Sequence, residues 1–180
     1  MSRLRSQYEA LARYNRWMNE RLYELASTLP EEQRTRDTGA FFGSIHATLN
    51  HILLADRAWL TRFTGDEARF ASRDAEGEPI EVKSLGQLLY ARFEDLRRER
   101  SKTDADIEDF VKDLDGESLD ANIRYERRGK AYEHPLWWAV GHLFNHQTHH
   151  RGQVTTLLSQ LGHDPGVTDM LALLRGDPVQ

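Results

Sequence analysis

Four histidines crowd into nine residues towards the end of the chain, at His142, His146, His149 and His150. Residues four apart on an α-helix lie one turn above each other, so 142/146 and 146/150 are each a pair of imidazoles able to share one divalent ion. The hydrophobic period chooses between them. With His146 at 0° and an advance of about 100° per residue, Ala139, Leu143, Val154, Leu157 and Leu161 fall between about 20° and 80°. His150 lands at about 40°, inside that arc, while His142 at about −40° and His149 at about −60° fall on its polar border. His146 and His150 are therefore the pair aimed at the interior. Two neutral imidazoles buried without partners forfeit hydrogen bonds, and a divalent ion removes that cost. The competing explanation is a pair of histidines that are solvated or singly bonded to a backbone carbonyl.

A third ligand has to come from a facing helix. An earlier segment offers His46 and His51, about 140° apart on the helical wheel, so the two cannot point at the same place. That segment is apolar nearly all round and its periodicity does not decide. His51 shares a side with Ala47, Ala55 and Ala58, small residues that let a neighbouring helix approach, which favours His51.

The absence of cysteine removes disulfides, thiolate zinc sites, iron–sulfur clusters and a cysteine nucleophile, and leaves nitrogen and oxygen as the metal ligands. Lys and Arg total 24 against 29 Asp and Glu, a formal charge of −5 with the signs interspersed, which argues against a nucleic-acid-binding surface. No apolar run reaches the length needed to span a bilayer, and the opening MSRLRSQYEALARYN lacks a signal peptide's apolar stretch; a cytoplasmic location without membrane attachment is expected. With no repeat and no low-complexity linker, residues 1–180 read as a single domain.

The elements that must position the histidines follow from the same periodicity. Leu4 to about Leu29 reads as an amphipathic helix that stops at Pro30. Gly39 to Phe63 reads as a largely buried helix with Phe41, Ile45, Ile52 and Trp59 on one side. Residues 64–83, rich in charge with Gly65, Gly77 and Pro79, predict a long connection that crosses over, since antiparallel neighbours need no such length. After Ser84 as N-cap, Leu85, Leu88, Leu89, Leu96, Ile107, Phe110 and Leu114 stay in phase and predict one long helix, frayed or bent near Thr103. Ile123–Tyr125 and Ala131–Tyr132, flanking Arg128 and Gly129, suggest a hairpin or extended loop. Pro135 opens the last long helix, Leu136 to Leu161, stopped by Gly162, and Met170–Leu174 suggests a helical turn. The fold class expected is all-α, a four-helix bundle with a long crossover connection.

Residues 142–153, HLFNHQTHHRGQ, resemble the signature of the DinB branch of the DinB/YfiT-like metalloprotein superfamily. Residues 49–59, LNHILLADRAW, residues 14–19, YNRWMN, and residues 165–169, PGVTD, are similar to further segments of that family, so the resemblance spans essentially the whole chain. It implies a four-helix bundle with a crossover, a homodimer, and a divalent metal held by His51, His146 and His150, which settles the choice against His46. Relatives in the superfamily include transferases and isomerases that act with bacillithiol, mycothiol or glutathione.

Three neutral histidines leave an ion formally dipositive with an open position, the pattern of a working site rather than a closed structural one. Water or a substrate thiol could be activated there. The expected function is a metal-dependent transferase that uses a low-molecular-weight thiol with a small-molecule substrate; the alternatives are a metal-dependent hydrolase and a non-enzymatic metal-binding stress-response protein. Zinc or nickel is the expected ion, with copper also suited to nitrogen ligands. Hydrolysis would need a general base, yet no carboxylate lies between Glu133 and Asp164 and no HExxH is present. Asp56 and Glu20 are the nearest candidates by motif, each expected to be a solvated or helix-linking charge. Arg151 is expected to pair with a carboxylate on a neighbouring helix. Trp17, Trp59, Trp137 and Trp138 are expected to fill core or an interface, with Trp137 facing away from the site, where it would mark a subunit contact. His134 and His163 read as surface histidines, and Asp104, Asp106, Glu108 and Asp109 as a solvated helix face.

Overall fold

The computed structural model describes residues 3–127 and 129–176. Four long helices carry the fold: α1 (Arg3–Ser27), α3 (Ile45–Thr64), α5 (Phe93–Asp113) and α7 (Leu136–Gln160). Short helices α2 (Glu31–Thr35), α4 (Glu67–Phe70), α6 (Gly116–Asp120) and α8 (Met170–Arg175) punctuate the connections, and β1 (Asn122–Arg127) pairs antiparallel with β2 (Lys130–Pro135). The architecture is all-α with one small hairpin. Arg128, expected in the hairpin turn, lies outside the described residues.

Cross-helix partners set the topology. α1 and α5 run antiparallel, since Tyr23 meets Phe93 while Arg16 meets Glu108. α3 and α7 are likewise antiparallel, with Trp59 against His142 and His51 against His150. α3 and α5 are parallel, with His46 against Phe93, Asp56 against Arg100 and Phe63 against Phe110. Two parallel helices in sequence force the chain to return along the bundle, which is what residues 65–92 do. The expected crossover is present.

The packing divides into two apolar clusters. One gathers Met18, Leu22, Leu49, Leu53, Leu96 and Leu158; the other gathers Ala12, Leu60, Ile107, Val111, Val140 and Leu143. Between them lies a layer of charge and amide. Arg100 reaches Asp56 on α3 and Asp104 one turn along its own helix, Asn15 and Asn19 of α1 donate to Asp104 at 3.0 and 2.9 Å, and Arg151 of α7 donates to Asn15. Two carboxylates and two guanidiniums balance inside this layer, so no charge within it is left uncompensated.

Three expectations need correction. Asp104 is not on a solvated face: it is 2% exposed, on the stripe that holds Arg100, Ile107 and Val111. The other three acids of that run pair with Arg69, Arg16 and Lys112 near the surface. The second long helix starts at Ile45 rather than Gly39, because Ser44 caps it by accepting the Ala47 amide at 3.1 Å, while Gly43 at φ +81° closes a turn that leaves Phe41 86% exposed. The third starts at Phe93 rather than after Ser84. Asn50 of α3 accepts the Tyr90 amide at 2.9 Å and donates to the Tyr90 carbonyl at 3.2 Å, so that backbone is held by a side chain and not by a helix ladder. From Phe93 the helix runs unbroken through Thr103, whose hydroxyl accepts from Arg57 at 3.1 Å.

Among the described residues, no helix is long and apolar enough to cross a membrane.

Candidate metal centre

His146 and His150 share one face of α7, and antiparallel packing of α3 brings His51 opposite them. One nitrogen from each of the three lies within 4.8 Å of the others, a grouping that can hold a metal ion. The Nε2 atoms of His51 and His146 are 3.2 Å apart. Among the described residues no carboxylate joins the group.

Hydrogen bonds on the far side of two rings decide which nitrogen faces inward. Nδ1 of His51 donates to the Leu85 carbonyl at 2.8 Å, and Nδ1 of His150 donates to Oε1 of Gln153 at 2.8 Å. A carbonyl oxygen can only accept, so both protons sit on Nδ1 and both Nε2 lone pairs are left for the centre. Holding the ring from behind in this way is how metal-ligating histidines are commonly oriented. Gln153 is itself placed by a contact of its Nε2 with the His149 ring at 3.3 Å. Phe42, in the turn before α3, stacks on His51 with centroids 3.9 Å apart and meets His150 edge-on, shielding one side.

The electrostatics favour neutral rings. Burial lowers the His51 pKa despite the Leu85 bond, with the neighbouring His150 adding to the effect, and burial lowers that of His150 likewise. His146 is pushed down to about 3, first by burial and then by His150 and His51. Its Nδ1 is buried with no hydrogen-bond partner among the described residues. The inward lone pairs of His51 and His150 and the His146 Nε2 beside them, in rings that resist protonation and with no acid in the group, form a donor set suited to a divalent ion, and these residues fit one.

The other histidines stay out. His46 is buried on a different side of α3, with Nε2 donating to the Tyr90 carbonyl at 2.8 Å. His149 is exposed, and His163 is half-buried beyond α7. His134 is half-buried at the end of β2, just before α7, against Tyr125 and Trp138. His142 sits one turn before His146 and packs on Trp59; its pKa is lowered by burial and then by the positive charges of Arg127 and Arg62.

Neither carboxylate considered as a base reaches the centre. Asp56 is fully buried and paired with Arg100, a helix-linking charge rather than a solvated one, and Glu20 stays exposed, 4.0 Å from Arg16. Arg151 does not pair directly with a carboxylate as expected. It donates to Asn15, which passes the contact on to Asp104, because α1 lies between its guanidinium and α5.

Three contributors escaped the sequence reading. Gln153 stands three residues after His150, a spacing at which side chains on a helix meet, and could have been found on that ground. Phe42 and the Leu85 carbonyl lie in connections, where no periodicity points at a site.

Comparison with known proteins identifies the family. The chain is similar to the protein named DinB of Bacillus subtilis (strain 168), at 28% identity over 163 residues that make up 88% of each chain. The sequence model of the DinB family matches residues 1–178, a span that takes in all four bundle helices and the three converging histidines, and the chain belongs to the DinB family.

Proposed function

We propose that the chain is a metal-dependent transferase that uses a low-molecular-weight thiol as co-substrate. The observation that carries the reading is the inward set of three neutral imidazoles with no carboxylate among them. His51, His146 and His150 would hold a divalent ion, which, with three neutral ligands, would supply electrostatic activation of an incoming sulfur nucleophile. The chain's own residues do the rest. Leu85 and Gln153 keep the protons of His51 and His150 on the outer nitrogens, and Phe42 limits water on one side. Lacking cysteine, the protein has no thiolate to compete for the open position, so sulfur arrives with the substrate. Zinc or nickel is the ion proposed, on ligand chemistry alone.

The test is spectroscopic. Cobalt-substituted protein is titrated with bacillithiol or glutathione and its visible absorption followed. A new sulfur-to-metal charge-transfer band that disappears in His150→Ala supports the reading. A cobalt spectrum indifferent to every thiol overturns it. Hydrolysis is the weaker reading, because the two carboxylates available as bases are held elsewhere.

A further inference from the structure

A cleft of about 420 Å³ opens beside the histidine cluster. Trp59 on α3, Tyr125 and Arg127 on β1, and Trp138, His142 and Asn145 on α7 form its walls. Its size suits a small organic molecule. It also adjoins the candidate metal centre: the His142 ring is 5.2 Å from that of Trp59 and 5.9 Å from that of His146, centroid to centroid.

The hairpin sorts its charges by face. Alternate residues of a strand point to opposite sides, and the register pairs Ile123 with His134, Tyr125 with Tyr132 and Arg127 with Lys130. Those six residues share one face of the hairpin, from which Tyr125, Arg127 and His134 line the cleft, and none of the six is acidic. Glu133 belongs to the other face, where it accepts from Asn122 at 2.8 Å and from Arg124 at 3.0 Å. On the outward face Glu133 answers Arg124 and Glu126 adds a further acid, whereas the inward face is cationic and aromatic.

Arg62 of α3 adds a second guanidinium. It lies 4.7 Å from the centre of the Trp59 ring and 5.0 Å from that of Tyr125. Among the described residues neither Arg62 nor Arg127 has a carboxylate within ion-pair distance. Arg127 lines the cleft and Arg62 packs on two of its aromatic walls, Trp59 and Tyr125; with no acid to neutralise either, the pair can receive an anion, and Trp59 and Trp138 supply apolar surface for the body that bears it.

We propose that this cleft binds a small carboxylate with a planar apolar body, the acid group held by Arg62 and Arg127 and the body lying between Trp59 and Trp138, and that it seats the substrate of the neighbouring centre. The role as substrate seat rests on the metal-dependent transferase reading. The affinity for the carboxylate does not.

The probe is 3-phenylpropanoate, titrated into the whole protein in the presence of a chelator while tryptophan fluorescence is followed. The uncharged 3-phenylpropanamide and phenyl phosphate are run beside it. Saturable quenching by the acid is expected, about tenfold or more weaker for the amide, for Arg127→Ala and for Arg62→Gln, each checked for native circular dichroism. Arg127 is exposed on the hairpin, so its variant tests the cleft without disturbing the bundle. Equal binding of acid and amide, tighter binding of the phosphate than of the carboxylate, acid binding unchanged in Arg127→Ala, or absence of saturable quenching by the acid overturns the proposal. A separate zinc titration keeps the two readings apart: carboxylate binding without metal binding leaves the cleft standing and removes its role beside a metal.

Discussion

His51 is held from behind by Leu85, whose carbonyl accepts the imidazole Nδ1–H at 2.8 Å across 34 positions of chain. The bond joins α3 to the crossover and ties the orientation of a ligand to the placement of a loop. Metal bound at Nε2 must therefore favour the docked loop over its open forms, since anything that binds only the native arrangement stabilises it. Amide exchange in residues 83–92 should slow when zinc is added, and exchange in α6 should not change. Exchange in 83–92 indifferent to zinc would separate the loop from the site.

Removing ligands and removing their supports should have different sizes of effect. His51→Ala or His150→Ala should abolish stoichiometric zinc binding in calorimetry, whereas His46→Ala should leave it intact because that ring bonds Tyr90 elsewhere. Gln153→Ala takes away the acceptor behind His150 and should weaken binding by about 10- to 100-fold. Gln153→Glu keeps an oxygen acceptor there and should restore most of the affinity, a rescue that a merely space-filling role would not give.

The metal-free protein should lose stability in mild acid. Burial lowers the pKa of His46, His51, His146 and His150 in the fold, while in the unfolded chain each titrates at its ordinary value of about 6.5. Above that pH both states are neutral and nothing is lost. Below it the unfolded chain takes up protons that the fold refuses, so stability falls as pH drops, by up to about 1.4 kcal/mol per pH unit for each such group. Urea melts at pH 7 and pH 5 with chelator present should show the decline, and His46→Gln should flatten it by at most one proton's worth.

The polar layer should punish removal of its central cation. Arg100→Met leaves Asp56 and Asp104 buried without their shared partner and should cost about 3–5 kcal/mol in urea unfolding. Adding Asp56→Asn and Asp104→Asn should recover part of the loss, since the damage comes from unpaired charge and not from lost volume. A triple variant no more stable than the single one would contradict that account.

The parts of the site that lie within one helix were legible in the sequence. The 3.6-residue period of α7 picked His146 and His150 from four neighbouring histidines, since both fall on or beside its buried stripe. His51 was harder, because α3 is buried on nearly every side and offers no stripe to orient against; it was chosen with the help of the family resemblance. The acidic neighbours of Asp104 point to a solvated face, although Leu96, Arg100, Ile107 and Val111 at spacings of three and four share its buried one. The start of α5 differs from the periodicity for a tertiary reason: Leu85 and Leu88 continue the helical phase, yet His51, His46 and Asn50 take the backbone of that stretch as their partner. A backbone carbonyl has no sequence signature.

The crossover also sets an order of assembly. Four helices can collapse with the second apolar cluster formed and the first lacking only Leu89 and Tyr90 while residues 83–92 are still undocked, and such a bundle would hold the histidines without fixing the tautomer of His51. Metal affinity would then lag behind helix content during refolding, so the ion serves as a late reporter that the last connection has closed.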